Sequence, residues 1–202
     1  YLSQARFHHA AAAAGQKIVF AGGSVVGLAP SNIVDIYDAD SMAWTQKTLA
    51  IARSFPAAAA AGNTIFIAGG LNIVSGVTYD LIEIYDVNTG EWTVEQLSQP
   101  RAGLVATRVG DKLLFAGGGQ FGPFLSPSPA TDVVDVYDLN TQDWLPVQHL
   151  SEPRAFSAIA VNGNKAYIAG GYIDNNTMSK RVDVYDAETG TWSQDSLSEA
   201  RA

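Results

Sequence analysis

Four double glycines, Gly22-Gly23, Gly69-Gly70, Gly117-Gly118 and Gly170-Gly171, follow one another at steps of 47, 48 and 53 residues. Tryptophans Trp44, Trp92, Trp144 and Trp192 step by 48, 52 and 48. Arginines Arg6, Arg53, Arg101, Arg154 and Arg201 step by 47, 48, 53 and 47. Between each glycine pair and its tryptophan stands VDIYD, IEIYD, VDVYD or VDVYD, with Tyr37, Tyr85, Tyr137 and Tyr185. Markers that keep one register along a whole chain mean one supersecondary unit built repeatedly. Each copy then buries its apolar face against its neighbours rather than alone.

The content of the unit follows from the second copy. It holds four short runs: AAAAA (57–61), TIFIAG (64–69), LIEIYD (81–86) and EWTVEQL (91–97). Gly62-Asn63, a variable loop and Asn88-Thr89-Gly90 separate them as turn signals. Four strands in under fifty residues make one blade of a β-propeller. The alanine runs at 10–14 and 57–61 are the one contrary signal, because alanine is the strongest helix former. Their counterparts in the third and fourth copies, GLVATRVG (103–110) and AFSAIAVNG (155–163), carry Val and Ile at strand spacing. The alanine runs are therefore expected to be inner strands, where blades crowd and small side chains fit.

These residues resemble the kelch repeat: Gly-Gly after an apolar strand, Tyr-Asp further on, and Trp seven residues after Tyr in every copy. The likeness runs from Leu2 to Arg201. It implies an all-β, kelch-type β-propeller in which four four-stranded blades are present, expected at about 5–51, 52–99, 100–152 and 153–199. Complete propellers of this kind most often have six blades. LSQAR (2–6) and LSEAR (197–201) are matching segments, so residues 1–202 are expected to be one segment of a larger propeller.

Gly22, Gly23, Gly69, Gly70, Gly117, Gly118, Gly170 and Gly171, with the four tyrosines and four tryptophans, are read as structural repeat positions. One aromatic pair per copy at fixed spacing suits packing between blades. The glycine pairs match no phosphate-loop pattern. The carboxylates Asp35, Glu83, Asp135 and Asp183 are expected to hold turns or to pair with the arginines. Arg6, Arg53, Arg101 and Arg154 admit two roles. The kelch resemblance implies a central mouth where guanidiniums contact an acidic peptide or ligand, and a planar fork of donors suits a carboxylate. Alternatively they tie blades together. The variable loops carry the functional expectation. In GQFGPFLSPSPAT (119–131), Phe121 and Phe124 are candidate anchors for a partner. His8, His9 and His149 lack a metal-binding arrangement, and Asn175-Asn176-Thr177 is a glycosylation sequon relevant only to a secreted chain.

The net charge is −8 and the twelve Lys and Arg are scattered, so a nucleic-acid footprint is missing. No apolar stretch is long enough for a membrane helix. The chain has no cysteine, which removes disulfides, thiolate metal sites and the copper chemistry of galactose-oxidase-like kelch enzymes. The spaced Glu, Asp and His iron set of kelch specifier proteins is not found. The expected function is a non-catalytic scaffold that uses its loops and central mouth to hold a protein or peptide, with an acidic partner or a glycan among the partners considered. The alternatives are a carbohydrate-binding or adhesive module, or a sugar-processing kelch enzyme. No catalytic residue, metal or cofactor is assigned, and the sequence does not indicate a compartment.

Overall fold

The computed structural model describes residues 1–125 and 129–202. It is all-β, and the strands of its described residues form four antiparallel sheets of the expected kind with a two-stranded hairpin besides. The first blade runs Ala10–Ala14, Lys17–Ala21, Ile33–Asp38, Ala43–Thr48. The second runs Ala57–Ala61, Thr64–Ala68, Leu81–Asp86, Trp92–Gln96. The fourth runs Ala158–Asn162, Lys165–Ala169, Arg181–Asp186, Thr191–Ser196. In each, strand order in space follows strand order in sequence. Both alanine runs are strands, paired residue by residue with the next strand from Ala10↔Ala21 and from Ala57↔Ala68. Tertiary pairing has overridden their helical propensity.

The third blade departs from the simple pattern. After Val105–Val109, Lys112–Ala116 and Val133–Asp138, its outer strand is split into Asp143–Trp144 and Gln148–His149. Both pieces pair with Val133–Asp138. Pro146 lies between them and has no N–H to give a ladder, so pairing lapses there.

The chain forms two compact units. One comprises residues 1–102 with 121–126, the other residues 103–120 with 127–202. In the first, the core lies between blades one and two. Val19, Ala21, Val34, Ile36 and Leu49 of the first blade meet Ile65, Ile67, Tyr85 and Val87 of the second. Ala12, Ala58, Ala60 and Trp92 pack against this layer. In the second unit, Leu114, Ala116, Val134, Val136 and Leu150 meet Ala166, Ile168 and Tyr185, with Trp192 alongside. Each seam thus has one aliphatic face and one face carrying the Tyr–Trp pair. The inner-strand alanines lie where two sheets approach, so their small size is a packing requirement.

The double glycines belong to the seam. The second glycine's N–H donates to the carbonyl of the next arginine: Gly23 to Arg53 at 2.9 Å, Gly70 to Arg101 at 2.8 Å, Gly118 to Arg154 at 2.9 Å. A Cβ on Gly22, at φ +67°, would stand 2.7 Å from the Arg53 carbonyl oxygen. Only glycine combines that backbone angle with so close an approach.

Candidate functional site

The arginines lie inside the blades. Arg53, Arg101 and Arg154 are fully buried and Arg6 nearly so. Arg53 donates from Nη1 to the Leu81 carbonyl at 2.9 Å, and from Nη2 to the Ile67 carbonyl at 3.0 Å and Glu83 Oε2 at 2.8 Å. Arg6 donates to the carbonyls of Gly22 (2.7 Å) and Ile33 (2.6 Å) and pairs with Asp35. Arg154 donates to the carbonyls of Arg181 (2.8 Å) and Ile168 (3.1 Å) and pairs with Asp183. In each case the fork spans two neighbouring strands where their ladder ends. Burial pulls the pKa of Arg53 below its ordinary value, opposed by the Glu83 carboxylate. Arg154 is shifted the same way, by burial against Asp183. These guanidiniums therefore face their own blade's carbonyls and carboxylate.

The main chain of the same arginine docks on the preceding blade. Arg53 N–H donates to the Ser31 carbonyl at 3.1 Å while its carbonyl accepts from Gly23. Arg154 repeats this with Thr131 (3.1 Å) and Gly118. One residue thus links two blades, main chain on one and side chain on the next. Of the two roles considered for Asp35, Glu83 and Asp183, pairing with arginine is the one seen. The turns are held instead by the aspartates three residues later. Asp86 Oδ1 accepts from the N–H groups of Asn88 (2.8 Å) and Thr89 (3.0 Å). Asp38, Asp138 and Asp186 cap their own turns likewise. Hydrogen bonds from Thr89 and Asn88 hold the Asp86 carboxyl below its ordinary pKa. The Tyr-Asp marker shows this role in the sequence, because Asp two residues before a free N–H is an Asx turn.

Tyrosine and tryptophan are cross-strand partners in every blade. Ring centroids lie 5.0 Å apart for Tyr37–Trp44, 4.8 Å for Tyr85–Trp92, 5.1 Å for Tyr137–Trp144 and 5.0 Å for Tyr185–Trp192. The first inner strand begins at Ala10, after the two histidines. His8 sits at φ +56° with its ring stacked on Phe55 at 3.9 Å, outside the regular alternation of a strand. His149 Nδ1 is 3.2 Å from Asp132.

The two loop phenylalanines have different surroundings. Residues 121–125 lie with the first unit. Phe121 and Leu125 pack, with Leu28 and Phe55, on a small cluster of Leu71, Ile73 and Ala102. Phe124 points outward and is 62% exposed. Its backbone is left-handed at φ 53°, ψ 36°, within a short 3₁₀ turn at Pro123–Leu125. Its N–H donates to the Ile73 carbonyl at 2.7 Å. Leu125 is also left-handed, at φ 59°. Beside this turn, the second blade's loop forms a hairpin of Leu71–Asn72 and Val77–Thr78. Asn72 Oδ1 caps its tip by accepting from Val74 and Ser75. Gly76 at that tip abuts Pro123. Val74, Val77 and Phe124 are all exposed, as is Val26 on the first blade's loop. Residues 126–128 of the third loop lie outside the described residues.

Sequence alone offered Phe121 and Phe124 as equivalent anchors. The fold gives one of them to the loop's own core and leaves the other on the surface. The valines of the hairpin escaped notice, because two isolated Val residues in a loop carry no signal without the turn that displays them.

Comparisons with known proteins agree with this architecture. The Kelch motif model matches residues 52–96 and 153–195, the second and fourth blades. Human Kelch-like protein 21 is 35% identical over 60 residues, covering 30% of this chain and 10% of that protein. Human Kelch-like protein 4 is 37% identical over 65 residues, covering 32% and 9%. A Kelch domain-containing protein of Sulfurisphaera tokodaii is 31% identical over 64 residues, covering 32% and 9%. The matched stretch spans about a tenth of the length of these relatives. The motif, the register and the blades agree, and the chain carries kelch repeats at residues 52–96 and 153–195.

Proposed function

We propose that this chain is a protein-interaction module that grips an apolar side chain of a protein partner on the loop surface formed by Phe124, Val74 and Val77. The observation that carries this reading is Phe124. A bulky residue in the left-handed region costs about 1–2 kcal/mol, and strained backbone of this kind collects at functional sites. Here a half-buried neighbour, Phe121, and the bond to the Ile73 carbonyl hold the strained turn in place. An aromatic ring held rigidly in water beside two exposed valines loses little freedom on binding and suits a hot spot. The resemblance to kelch-like proteins supports a protein as the partner. The inward aim of the guanidiniums supports a bracing role for Arg6, Arg53 and Arg154, which leaves the loops to do the binding.

The test is selection from a phage-displayed peptide library on the wild-type chain and on Phe124→Ser. We expect wild type to enrich peptides with aromatic or large aliphatic residues. Phe124→Ser should weaken the selected peptides at least tenfold while the melting temperature stays put, since the ring contacts little. Peptides that bind both proteins equally would move the site elsewhere.

A further inference from the structure

Charge is spread unevenly along this chain, and the loop surface of the first unit falls in its gaps. The net charge is −8, yet residues 18–34, 54–79 and 113–131 contain no Asp, Glu, Lys, Arg or His. Those spans hold the loops after the first three double glycines. The fourth loop differs, with Asp174, Lys180 and Arg181. The hairpin of Leu71–Asn72 and Val77–Thr78 and the turn Pro123–Leu125 come from two of the uncharged spans. Val74, Val77 and Phe124, at 45%, 51% and 62% exposure, therefore stand on neutral chain. The first carboxylate after the hairpin, Asp80, is half-buried. Arg53, the last cation before it, is buried and paired with Glu83.

The main-chain donors of this surface are already used. Val74 and Ser75 donate to Asn72 Oδ1, each at 3.1 Å. Gly76 donates to the Asn72 carbonyl at 2.8 Å, and Phe124 to the Ile73 carbonyl at 2.7 Å. Val77 donates to Ser75 Oγ at 3.4 Å. An anion is recognised by a cluster of outward N–H groups or by a guanidinium fork. Among the described residues of the hairpin and turn, neither is offered. A cationic group would need a carboxylate, and these loops carry none. Beneath the exposed side chains, Phe121 and Leu125 pack on Leu71, Ile73 and Ala102. The surface thus continues an apolar cluster whose present occupant is itself an uncharged segment of this chain.

We infer that the partner segment received by Phe124, Val74 and Val77 is electrically neutral, an aromatic or large aliphatic anchor flanked by uncharged residues. This inference rests on the loop surface being the binding site. Its physical basis is desolvation. A charge on the partner beside the anchor would leave water as the contact closes, and nothing on these loops would compensate it. Neutral flanks incur no such loss. Recognition therefore excludes charged segments rather than attracting oppositely charged ones, and binding is insensitive to salt.

The probes are end-capped, fluorescently labelled peptides selected on the wild-type chain from the displayed library, with dissociation constants measured by anisotropy. Each peptide is also made with the residue next to its anchor changed to Asp and, separately, to Lys. The neutral form should change affinity less than about threefold from about 0.1 M to about 1 M NaCl, over which the screening length falls from about 10 Å to about 3 Å. Both charged forms should bind at least about tenfold more weakly than the neutral one. Ser75→Lys places a cation on the exposed hairpin tip, and the Asp form should bind this variant at least about tenfold more tightly than it binds wild type. Charged forms that bind wild type as well as the neutral form, or affinity that falls steeply with salt, overturn the inference. If Phe124→Ser still abolishes binding in that case, the loop site stands and only the partner's chemistry is wrong. Peptides indifferent to Phe124→Ser remove the site, and this inference with it.

Discussion

Burying a guanidinium is expensive, and Arg53 shows how the repeat makes it worthwhile. Three acceptors surround its fork, one of them charged, while its buried Nε has no partner among the described residues. Removing only one member of such a pair leaves an uncompensated buried charge. Arg53→Ala is expected to cost about 3–5 kcal/mol, read as a drop in the urea midpoint. Arg53→Ala with Glu83→Ala should cost clearly less than the two single changes added together, which a double-mutant cycle measures directly. Arg53→Lys keeps the charge but loses the fork, and should recover only part of the loss. Asp86 makes a different contribution. Its folded pKa is depressed by the Thr89 and Asn88 N–H groups. Its stabilisation is therefore complete above the ordinary carboxylate value of 3.8 and is lost as pH falls through the lower folded value. Asp86→Asn should lower the urea midpoint at neutral pH and flatten its acid limb, so that variant and wild type converge below the folded value.

At the scale of the element, the strands were legible because four copies could be aligned. No single copy would have turned AAAAA into a strand. The third and fourth copies did, because Val and Ile fill the same slot. The split outer strand of the third blade was missed, although Pro146 was in plain view, because the other three copies made a continuous strand the default. The contrast between Phe121 and Phe124 was beyond the sequence for a physical reason. It depends on a long-range contact with Leu71 and Ile73, across the fold from a loop that has no repeat partner. The glycine pairs were read as structural positions from their spacing, but the atom that stands where a side chain would go, the next arginine's carbonyl oxygen, appears only in three dimensions. Gly22→Ala should accordingly cost more than about 2 kcal/mol, the sum of left-handed strain and a clash with main chain. Gly27→Ala is the control. Gly27 also has a positive φ, +89°, but a Cβ there would meet nothing within 4 Å. Its cost should be near 1 kcal/mol, and the difference between the two unfolding free energies isolates the seam.

For the whole molecule, the same residue type at the same repeat position has a different worth depending on its neighbour. Ile18 and Ile65 are equivalents, each four residues before its double glycine. Ile65 is sealed against the first blade's Val and Ile side chains, with no exposure. Ile18 lies on the open face and is half-buried. Ile65→Ala removes buried methyl groups and leaves a cavity, which costs about 2–5 kcal/mol. Ile18→Ala in dilute solution removes contacts on one side only, so about 1 kcal/mol is expected from the area still covered. Local propensity is identical in the two positions, so the gap between them measures one blade seam. Urea unfolding of both variants reads this gap directly: a difference of at least about 1 kcal/mol between the two losses locates the stabilisation in the seam, and equal losses would place it within the single blade.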